Sequence, residues 1–331
     1  AKTLFPYTTL FRSYTSMPML IAEELNVNIN QIKVAIAPPG AVYINSLLGG
    51  QLTGGSTSVR EGWEKLRTAG AQVREMLISA ASVKWNVDRG QLTAKDGYVH
   101  YGKQKASYGS LAAAASKVAV PDKITLKDPK DFTIVGKRTK RLDTPAKVNG
   151  TAEFGIDVKL PGMVYASLEQ SPVIGGKVKS FDATKAKTMP GVVDVVQVAD
   201  GVAVVAKSYW QAKKARDTIK VDWDLGEGAA ISTDSMLAGI RKATESDKPL
   251  AIGKPVGDAD AALKAAAKTL SAQYVSPLQA HAPLEPMNFT AHYNAGKLLL
   301  IGPTQFQQGA QGAAAASVGL KPEDVTLKTT F

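Results

Sequence analysis

The sequence contains no cysteine among its 331 residues. This absence excludes disulfide bonds, thiol catalysis, Cys-ligated zinc and iron–sulfur clusters bound by this chain. Only three histidines are present, His100, His281 and His292, and none of their spacings is that of a zinc signature. We therefore predict no metal site built from side chains of this chain alone.

Long apolar stretches are also missing. No window approaches the roughly 18 consecutive apolar residues that a membrane-spanning helix needs, and the N-terminus lacks the layout of a secretory signal. The 44% hydrophobic and 21% charged residues are typical of a globular protein of two or three domains. The net charge of +11 indicates a basic surface.

Residues 3–13, TLFPYTTLFRS, have no coherent helix or strand periodicity. In-frame translation of the common short-read sequencing adapter yields the same string, so we interpret residues 1–13 as a non-native segment and exclude them from the fold prediction. The alternative is an ordinary frayed N-terminus with an aromatic edge strand. The adapter interpretation predicts that the natural protein extends further upstream.

Hydrophobic periodicity predicts an α/β organisation. Apolar residues between Val59 and Ala80 recur at spacings of three and four, which predicts one long helix. Ser58, with Glu61 three residues later, predicts a capping box at its start. Further predictions are a helix at 17–25, a strand at 32–37, a hairpin within 88–108, a helix at 111–117, alternating strands and helices at 163–223, strands in SAQYV, NFTAHY and KLLLIG, a small-residue helix at 305–318 and a C-terminal strand at 325–331.

Composition predicts the domain boundaries. Residues 136–150 are rich in charge, proline and glycine, which predicts a linker. Residues 225–267 have only weak helical patterns, which predicts a surface connection. The predicted divisions are the adapter-like segment 1–13, a first domain piece 14–135, the linker 136–150, an α/β domain 151–224, the connection 225–267, and a further domain 268–331 that we expect to be truncated.

The first candidate site is a glycine-rich turn that opens the long helix, Gly54-Gly55-Ser56-Thr57-Ser58. Glycines let a ligand approach the backbone, and hydroxyls and free N–H groups at a helix start favour an anion such as phosphate. The turn is neither a P-loop nor a dinucleotide-binding motif. The alternative is a capped helix after a tight turn, with no ligand.

The second candidate site is the polar, proline-rich cluster 279–286, QAHAPLEP, between predicted strands. Gln279 can donate to an oxo ligand, and His281 and Glu285 can titrate or hold the loop. The alternative is a proline-rich turn in which His281 and Glu285 bond to backbone groups.

A third cluster combines aromatic and basic residues, and it raises the possibility of nucleic-acid binding. Its members are Trp210, Lys213, Lys214, Arg216, Lys220 and Trp223. No nucleic-acid-binding signature accompanies the charge, so we interpret the cluster as an amphipathic helix with a solvated basic face and a core strand, and expect no nucleic-acid partner.

A family resemblance is carried by four segments in order: TGGSTSVREGWEKLRTAGAQVREMLISAA, RLDTPAKVNGTAEFGIDVKLPGMVYASL, QAHAPLEPMNFTA, and Pro303-Thr304-Gln305 before a helix. They resemble the molybdopterin-binding large subunit of the xanthine dehydrogenase and aldehyde oxidase family, in particular the isoquinoline 1-oxidoreductase beta-subunit type. The resemblance implies an α+β or α/β multidomain fold, in which molybdopterin-binding domain pieces flank an α/β hammerhead domain.

The same resemblance implies a cofactor and its contacts. Gly54, Gly55, Ser56, Thr57 and Ser58 would hold the phosphate and pterin of a molybdenum–molybdopterin in its cytosine dinucleotide form. Gln279 would lie beside the molybdenum oxo group. Electrons would pass to 2Fe-2S clusters on a separate small subunit, which agrees with the missing cysteines, and then to an acceptor such as a cytochrome.

The implied activity is oxidation of N-heteroaromatic compounds or aldehydes with water as the oxygen source. The catalytic base, a glutamate in a C-terminal segment of the family, is absent from this chain, and Glu285 is not assigned to that role. A Gly-Gln-Gly motif before Tyr14 and a glycine-rich motif after Phe331 are also missing, so we expect the chain alone to be inactive. Periplasmic export is expected by resemblance, with a cytoplasmic location as the alternative. The alternative function is a cofactor-free α/β binding or scaffold protein with a basic surface.

Overall fold

The computed structural model describes residues 2–5, 13–245 and 256–331. The chain divides into two compact units, one formed by Ala1–Val158 with Pro283–Phe331 and the other by Lys159–Ala282. Both units mix helices and strands. The mixed α/β architecture predicted from periodicity is therefore confirmed.

The helices in chain order are α1 (Ser13–Leu25), α2 (Thr57–Trp85), α3 (Tyr108–Ala115), α4 (Thr144–Val148), α5 (Thr184–Lys187), α6 (Tyr209–Arg216), α7 (Thr233–Thr244), α8 (Ala259–Ala265) and α9 (Gln307–Ser317). The strands are β1 (Lys2–Phe5), β2 (Lys33–Ile36), β3 (Thr93–Lys95), β4 (Tyr98–Tyr101), β5 (Gln104–Ser107), β6 (Tyr165–Gln170), β7 (Lys177–Asp182), β8 (Val192–Val198), β9 (Gly201–Ala206), β10 (Lys220–Asp224), β11 (Thr290–Asn294), β12 (Lys297–Gly302) and β13 (Val325–Thr329). In the described part of the chain, no helix is long and apolar enough to cross a bilayer.

The first unit is built on the packing of α1 against α2. Met17 and Leu66 are buried in the core that the two helices share. A Cβ atom at Gly70 would lie 2.7 Å from the carbonyl oxygen of Ile21, so the two backbones approach closely at that glycine. The predicted long helix is confirmed, and its length of 29 residues exceeds the predicted span at the C-terminal end.

Three small sheets complete the first unit. The antiparallel order β3-β4-β5 confirms the predicted hairpin, with Asp96 and Gly97 at positive φ in its first turn. Strand β12 lies between antiparallel β11 and parallel β13. Strand β1 pairs in parallel with β2, so the segment set aside as adapter-like contains an edge strand. Its adapter origin stays a prediction.

The second unit is built around the antiparallel sheet β6-β9-β8. Strand β9 is central and buried, and a Cβ at Gly201 would lie 2.3 Å from the carbonyl oxygen of Glu169 on the neighbouring strand. Helices α5 and α6 cover one face through Ala186 and Ala215, which pack in a core with Val204. Strands β7 and β10 form a separate antiparallel pair.

One predicted strand is wrong. The segment SAQYV, residues 271–275, has no regular secondary structure, and Tyr274 is 92% exposed. Alternation of apolar residues predicts a strand only where a sheet edge is available to pair with it and a core covers one face. None of the strands in the described part of the chain pairs with this segment.

Candidate functional site

The glycine-rich turn immediately precedes α2. Gly55 has a φ of 55°, and Ser56, the residue before the helix, has φ 54° and ψ 30°. Two consecutive residues in the left-handed region turn the chain sharply into the helix. Gly55 and Ser56 are both exposed.

The predicted capping box is wrong. Helix α2 begins at Thr57, so Ser58 lies inside the first turn, where it is 5% exposed. The Glu61 carboxylate accepts from the backbone N–H and the hydroxyl of Ser46, at 3.5 and 3.4 Å, rather than from the start of its own helix. Ser56 occupies the capping position and makes no side-chain capping bond.

Thr57 closes the turn in place of that box. Its backbone N–H and its hydroxyl both donate to the carbonyl oxygen of Gly54, at 3.1 and 2.8 Å. The fully buried Asn45 donates through Nδ2 to the Thr57 hydroxyl oxygen at 2.8 Å. No local pattern in the sequence singles out Asn45, because its contact with Thr57 depends on a turn over residues 45–50 whose path such patterns do not specify.

The segment before α9 lies beside this turn. The backbone N–H of Thr53 donates to the carbonyl oxygen of Gln305 at 2.8 Å, and Leu52 forms an isolated antiparallel bridge with Phe306. The backbone N–H of Gln51 donates to Oε1 of Gln308 at 2.9 Å. The structure therefore brings together two motifs that carried the resemblance, the glycine-rich turn and the Pro303-Thr304-Gln305 segment.

The electrostatics at the start of α2 favour an anion. The first turn of this helix holds no acidic residue. Arg60 is exposed and forms no ion pair with the described part of the chain. The N-terminal end of a long helix carries partial positive charge, and free N–H groups there can donate to a phosphate.

The space around the turn fits the anionic end of a cofactor. A Cβ at Gly54 would contact only Cδ1 of Leu48, at 3.9 Å, and a Cβ at Gly55 would contact only Cγ2 of Thr57, at 3.7 Å. Each missing Cβ position thus has one neighbouring atom, at ordinary van der Waals distance, which leaves the backbone accessible. The donor set of N–H groups, serine hydroxyl and guanidinium suits a phosphate.

Gln307, the first residue of α9, is a buried polar residue that no sequence motif singles out. It is 1% exposed, and neither Nε2 nor Oε1 of its side chain has a hydrogen-bond partner in the described part of the chain. A buried amide without partners is costly. The Gln307 side chain therefore lowers the stability of the fold beside the glycine-rich turn.

The cluster QAHAPLEP is divided between the units. Gln279 and His281 belong to the second unit and are exposed in a segment without regular secondary structure. Glu285 belongs to the first unit, where its Oε1 accepts from the backbone N–H of Ile156 at 3.0 Å. The role of Gln279 beside a molybdenum oxo group stays a prediction. Glu285 binds the backbone N–H of Ile156.

In the regions described, residues 2–5, 13–245 and 256–331, no three histidine, aspartate or glutamate side chains lie together in an arrangement that could hold a metal ion. The aromatic and basic cluster is divided as predicted between α6 and β10, and Lys214 Nζ lies 4.9 Å from the centre of the Trp210 ring.

The C-terminal part of the chain is similar to a known family of cofactor-binding domains. Residues 244–331 match the family model of the molybdopterin cofactor-binding domain. The resemblance to molybdopterin-binding large subunits, predicted from four motifs, is confirmed.

Among the relatives are two that match over 95% of the chain. Isoquinoline 1-oxidoreductase subunit beta of Brevundimonas diminuta is 29% identical, over 95% of this chain and 46% of its own length. Membrane-bound aldehyde dehydrogenase [pyrroloquinoline-quinone] of Gluconacetobacter polyoxogenes is also 29% identical, over 95% of this chain and 42% of its own length. The chain thus spans less than half the length of each relative.

A solved structure is similar over part of the chain. Aldehyde oxidoreductase from Desulfovibrio gigas has a TM-score of 0.45 and 22% identity, over 67% of this chain and 29% of its own.

Proposed function

We propose that this chain is part of the large subunit of a molybdenum hydroxylase that oxidises N-heteroaromatic compounds or aldehydes with water as the oxygen source. The observation that carries the proposal is the ordered similarity to isoquinoline 1-oxidoreductase subunit beta over 95% of the chain, together with the molybdopterin cofactor-binding domain match at residues 244–331. Nothing comparable favours a cofactor-free scaffold.

In this proposal the start of α2 binds the anionic end of the cofactor. The N–H groups and hydroxyl of the Gly55–Ser56 turn donate to phosphate oxygens, and Arg60 supplies a positive charge at the same helix end. Thr57 and Asn45 keep the turn in its left-handed conformation through the Gly54 carbonyl.

The bound molybdenum centre would supply oxygen transfer from water and two-electron oxidation of the substrate. This chain's contribution is binding and orientation of the cofactor. The finer assignments belong to the same proposal: the cytosine dinucleotide form of the cofactor, Gln279 beside the molybdenum, residues 151–224 as an α/β hammerhead domain, a small 2Fe-2S partner subunit, and export to the periplasm.

The test is cofactor analysis of the full-length gene product coexpressed with its small subunit. We expect molybdenum by elemental analysis, a pterin by fluorescence after oxidation, and incorporation of oxygen from labelled water into a hydroxylated heteroaromatic or a carboxylic acid. The same preparation is assayed for pyrroloquinoline quinone, which the name of one relative mentions. Folded, assembled protein without molybdenum or pterin would overturn the proposal, as would quinone in place of both.

A further inference from the structure

An exposed loop in the first unit carries a run of basic side chains. The basic loop comprises residues 136–141, and its sequence, GKRTKR, contains four cations and no acid. Lys137, Arg138 and Lys140 are exposed, and none of the three forms an ion pair with any residue of the described ranges. Three unpaired cations therefore lie within four residues of one another.

The basic loop is anchored at its N-terminal side by a buried carboxylate. Glu23 of α1 is fully buried and accepts from the backbone N–H groups of Thr133, Ile134 and Val135 at 3.0, 2.6 and 3.0 Å. Lys127 Nζ donates to the same carboxylate at 2.8 Å. The residues that lead into the basic loop are therefore fixed to the helical core.

A second anchor follows the basic loop. The backbone N–H of Leu142 donates to the hydroxyl of Thr15 in α1 at 3.0 Å. Asp143, only 2% exposed, accepts from Arg141 Nε at 2.9 Å and from Lys147 Nζ at 2.7 Å. Both ends are held, so the backbone between them has little freedom to lose when a partner binds.

The composition of the basic loop restricts the class of partner. It exposes no aromatic ring on which bases could stack and no large apolar side chain that could enter a bilayer, so neither base stacking nor membrane insertion has a side chain here to support it. The guanidinium of Arg138 matches a carboxylate in bidentate geometry, and lysines on either side add positive charge. Exposed like charges repel one another unless an anion compensates them.

We propose that the basic loop is a docking surface for a carboxylate-rich face of a protein partner. Docking there needs no bound cofactor, so it is independent of the proposed enzymatic function. Arg138 pairs with a partner carboxylate, and Lys137 and Lys140 contribute steering and salt-dependent affinity.

The test compares two triple variants of the full chain that remove the same charge. The first is Lys137→Gln, Arg138→Gln and Lys140→Gln. The control is Lys103→Gln, Lys117→Gln and Lys123→Gln, three exposed lysines elsewhere in the first unit. The probe is a fluorescent deca-glutamate peptide, with anisotropy measured at low and at physiological ionic strength and melting temperatures recorded for both variants.

We expect the loop variant to bind the peptide about tenfold more weakly than the parent and the control within about twofold, because three exposed ion pairs are lost only in the former. Should the loop variant fail to fold, Arg138→Gln alone should weaken binding about threefold. Equal losses in both triple variants would overturn the proposal, since net charge alone would explain them. Tighter, loop-dependent binding to phosphatidylserine vesicles or a short DNA duplex would overturn it too.

Discussion

Oε1 of Glu285 accepts a hydrogen bond from the backbone N–H of Ile156 at 3.0 Å, and Asn288 Nδ2 donates to the same oxygen at 2.9 Å. The bond from Ile156 joins two segments that lie 129 residues apart in sequence, whereas the bond from Asn288 is local. Gly155 sits against them so tightly that a Cβ would lie 2.5 Å from Asn288 Oδ1 and 2.6 Å from Pro303 Cδ. The geometry gives Glu285 a structural task, consistent with leaving it unassigned as the catalytic base.

Replacement of Glu285 should therefore act on stability. Glu285→Ala removes the acceptor that the Ile156 N–H and the Asn288 amide share, although Asn288 Nδ2 keeps its bond to the Pro286 carbonyl oxygen at 2.8 Å. Because these bonds are not fully buried, we expect a loss of about 0.5–1.5 kcal/mol in the free energy of unfolding. Glu285→Gln retains an acceptor oxygen and should lose less. Urea denaturation of the chain measures both.

Activity measurements on the same variant distinguish a structural role of Glu285 from a catalytic one. In the full-length enzyme, Glu285→Gln should retain most of its activity because the fold is retained. Loss of turnover with unchanged stability and cofactor content would instead give Glu285 a role in the reaction.

The Glu23 carboxylate makes the stability of the first unit depend on pH. Burial opposes its ionisation, but the bonds from Lys127 and from the N–H groups of Val135, Ile134 and Thr133 outweigh burial and lower its pKa to about 2. A depressed folded-state pKa stabilises the fold above the unfolded pKa, near 4.5, and that stability is lost as the pH falls toward 2. The linkage is on the order of 3 kcal/mol.

Glu23→Gln isolates this contribution. At neutral pH the variant should be less stable than the parent, and the difference should shrink as the pH falls from about 4.5 to about 2. Free energies of unfolding at several pH values for both proteins provide the measurement. A difference that is constant with pH would show that the carboxylate is not the titrating group.

Thr57 offers a matched pair of substitutions at the start of α2. Thr57→Val removes the hydroxyl that accepts from the buried Asn45 and donates to Gly54. An unpaired buried amide should lower stability by about 1–3 kcal/mol, whereas Thr57→Ser keeps the hydroxyl and should be close to the parent. Thermal unfolding of both variants measures this difference. Equal melting temperatures for Thr57→Val and Thr57→Ser would show that the bond from Asn45 contributes nothing to stability.

Local patterns predicted the parts of the fold that depend on local chemistry. The spacing from Val59 to Ala80 predicted α2, because one apolar face must meet the core at helical intervals. The bond from the Gln51 N–H to Gln308 spans 257 residues, and the bonds that Glu23 accepts from Ile134 and Val135 span 111 and 112. No local pattern encodes such pairings, because they depend on tertiary packing. Glu61 was assigned to a capping box for the same reason: its actual partner, Ser46, comes from a preceding turn.

Replacing the Gln307 amide with an apolar side chain should increase the stability of the protein. Both polar atoms are buried without partners in the described part of the chain, so Gln307→Leu removes a desolvation cost and should raise stability by about 1–3 kcal/mol. Gln311, on the same helix, is the control, because its Nε2 donates to the carbonyl oxygen of Val325 at 2.8 Å. Gln311→Leu should lower stability. If both variants are destabilised, the Gln307 amide has a partner in solution, such as an ordered water.

Gly54 provides the cleanest test of the cofactor contact. Gly55 is unsuitable, because its φ of 55° would cost a β-branched residue about 1–2 kcal/mol whether or not a ligand binds there. Gly54 is not in the left-handed region, and a Cβ there would meet only Leu48 Cδ1 at 3.9 Å. Gly54→Ala should therefore change the free energy of unfolding by no more than about 0.5 kcal/mol.

If phosphate oxygens approach this backbone, the added methyl group of Gly54→Ala should obstruct them, and the full-length enzyme should retain less molybdenum per subunit than the parent at an unchanged melting temperature. Gly312→Ala is the matched control, since no atom beyond its chain neighbours and its own helix backbone lies within 4 Å of its Cβ position, and it belongs to α9 rather than to the turn. Full molybdenum content in the Gly54 variant would mean that the turn only shapes the start of α2. The anion would then have to bind through groups other than this backbone, and the donor set proposed for it would be wrong.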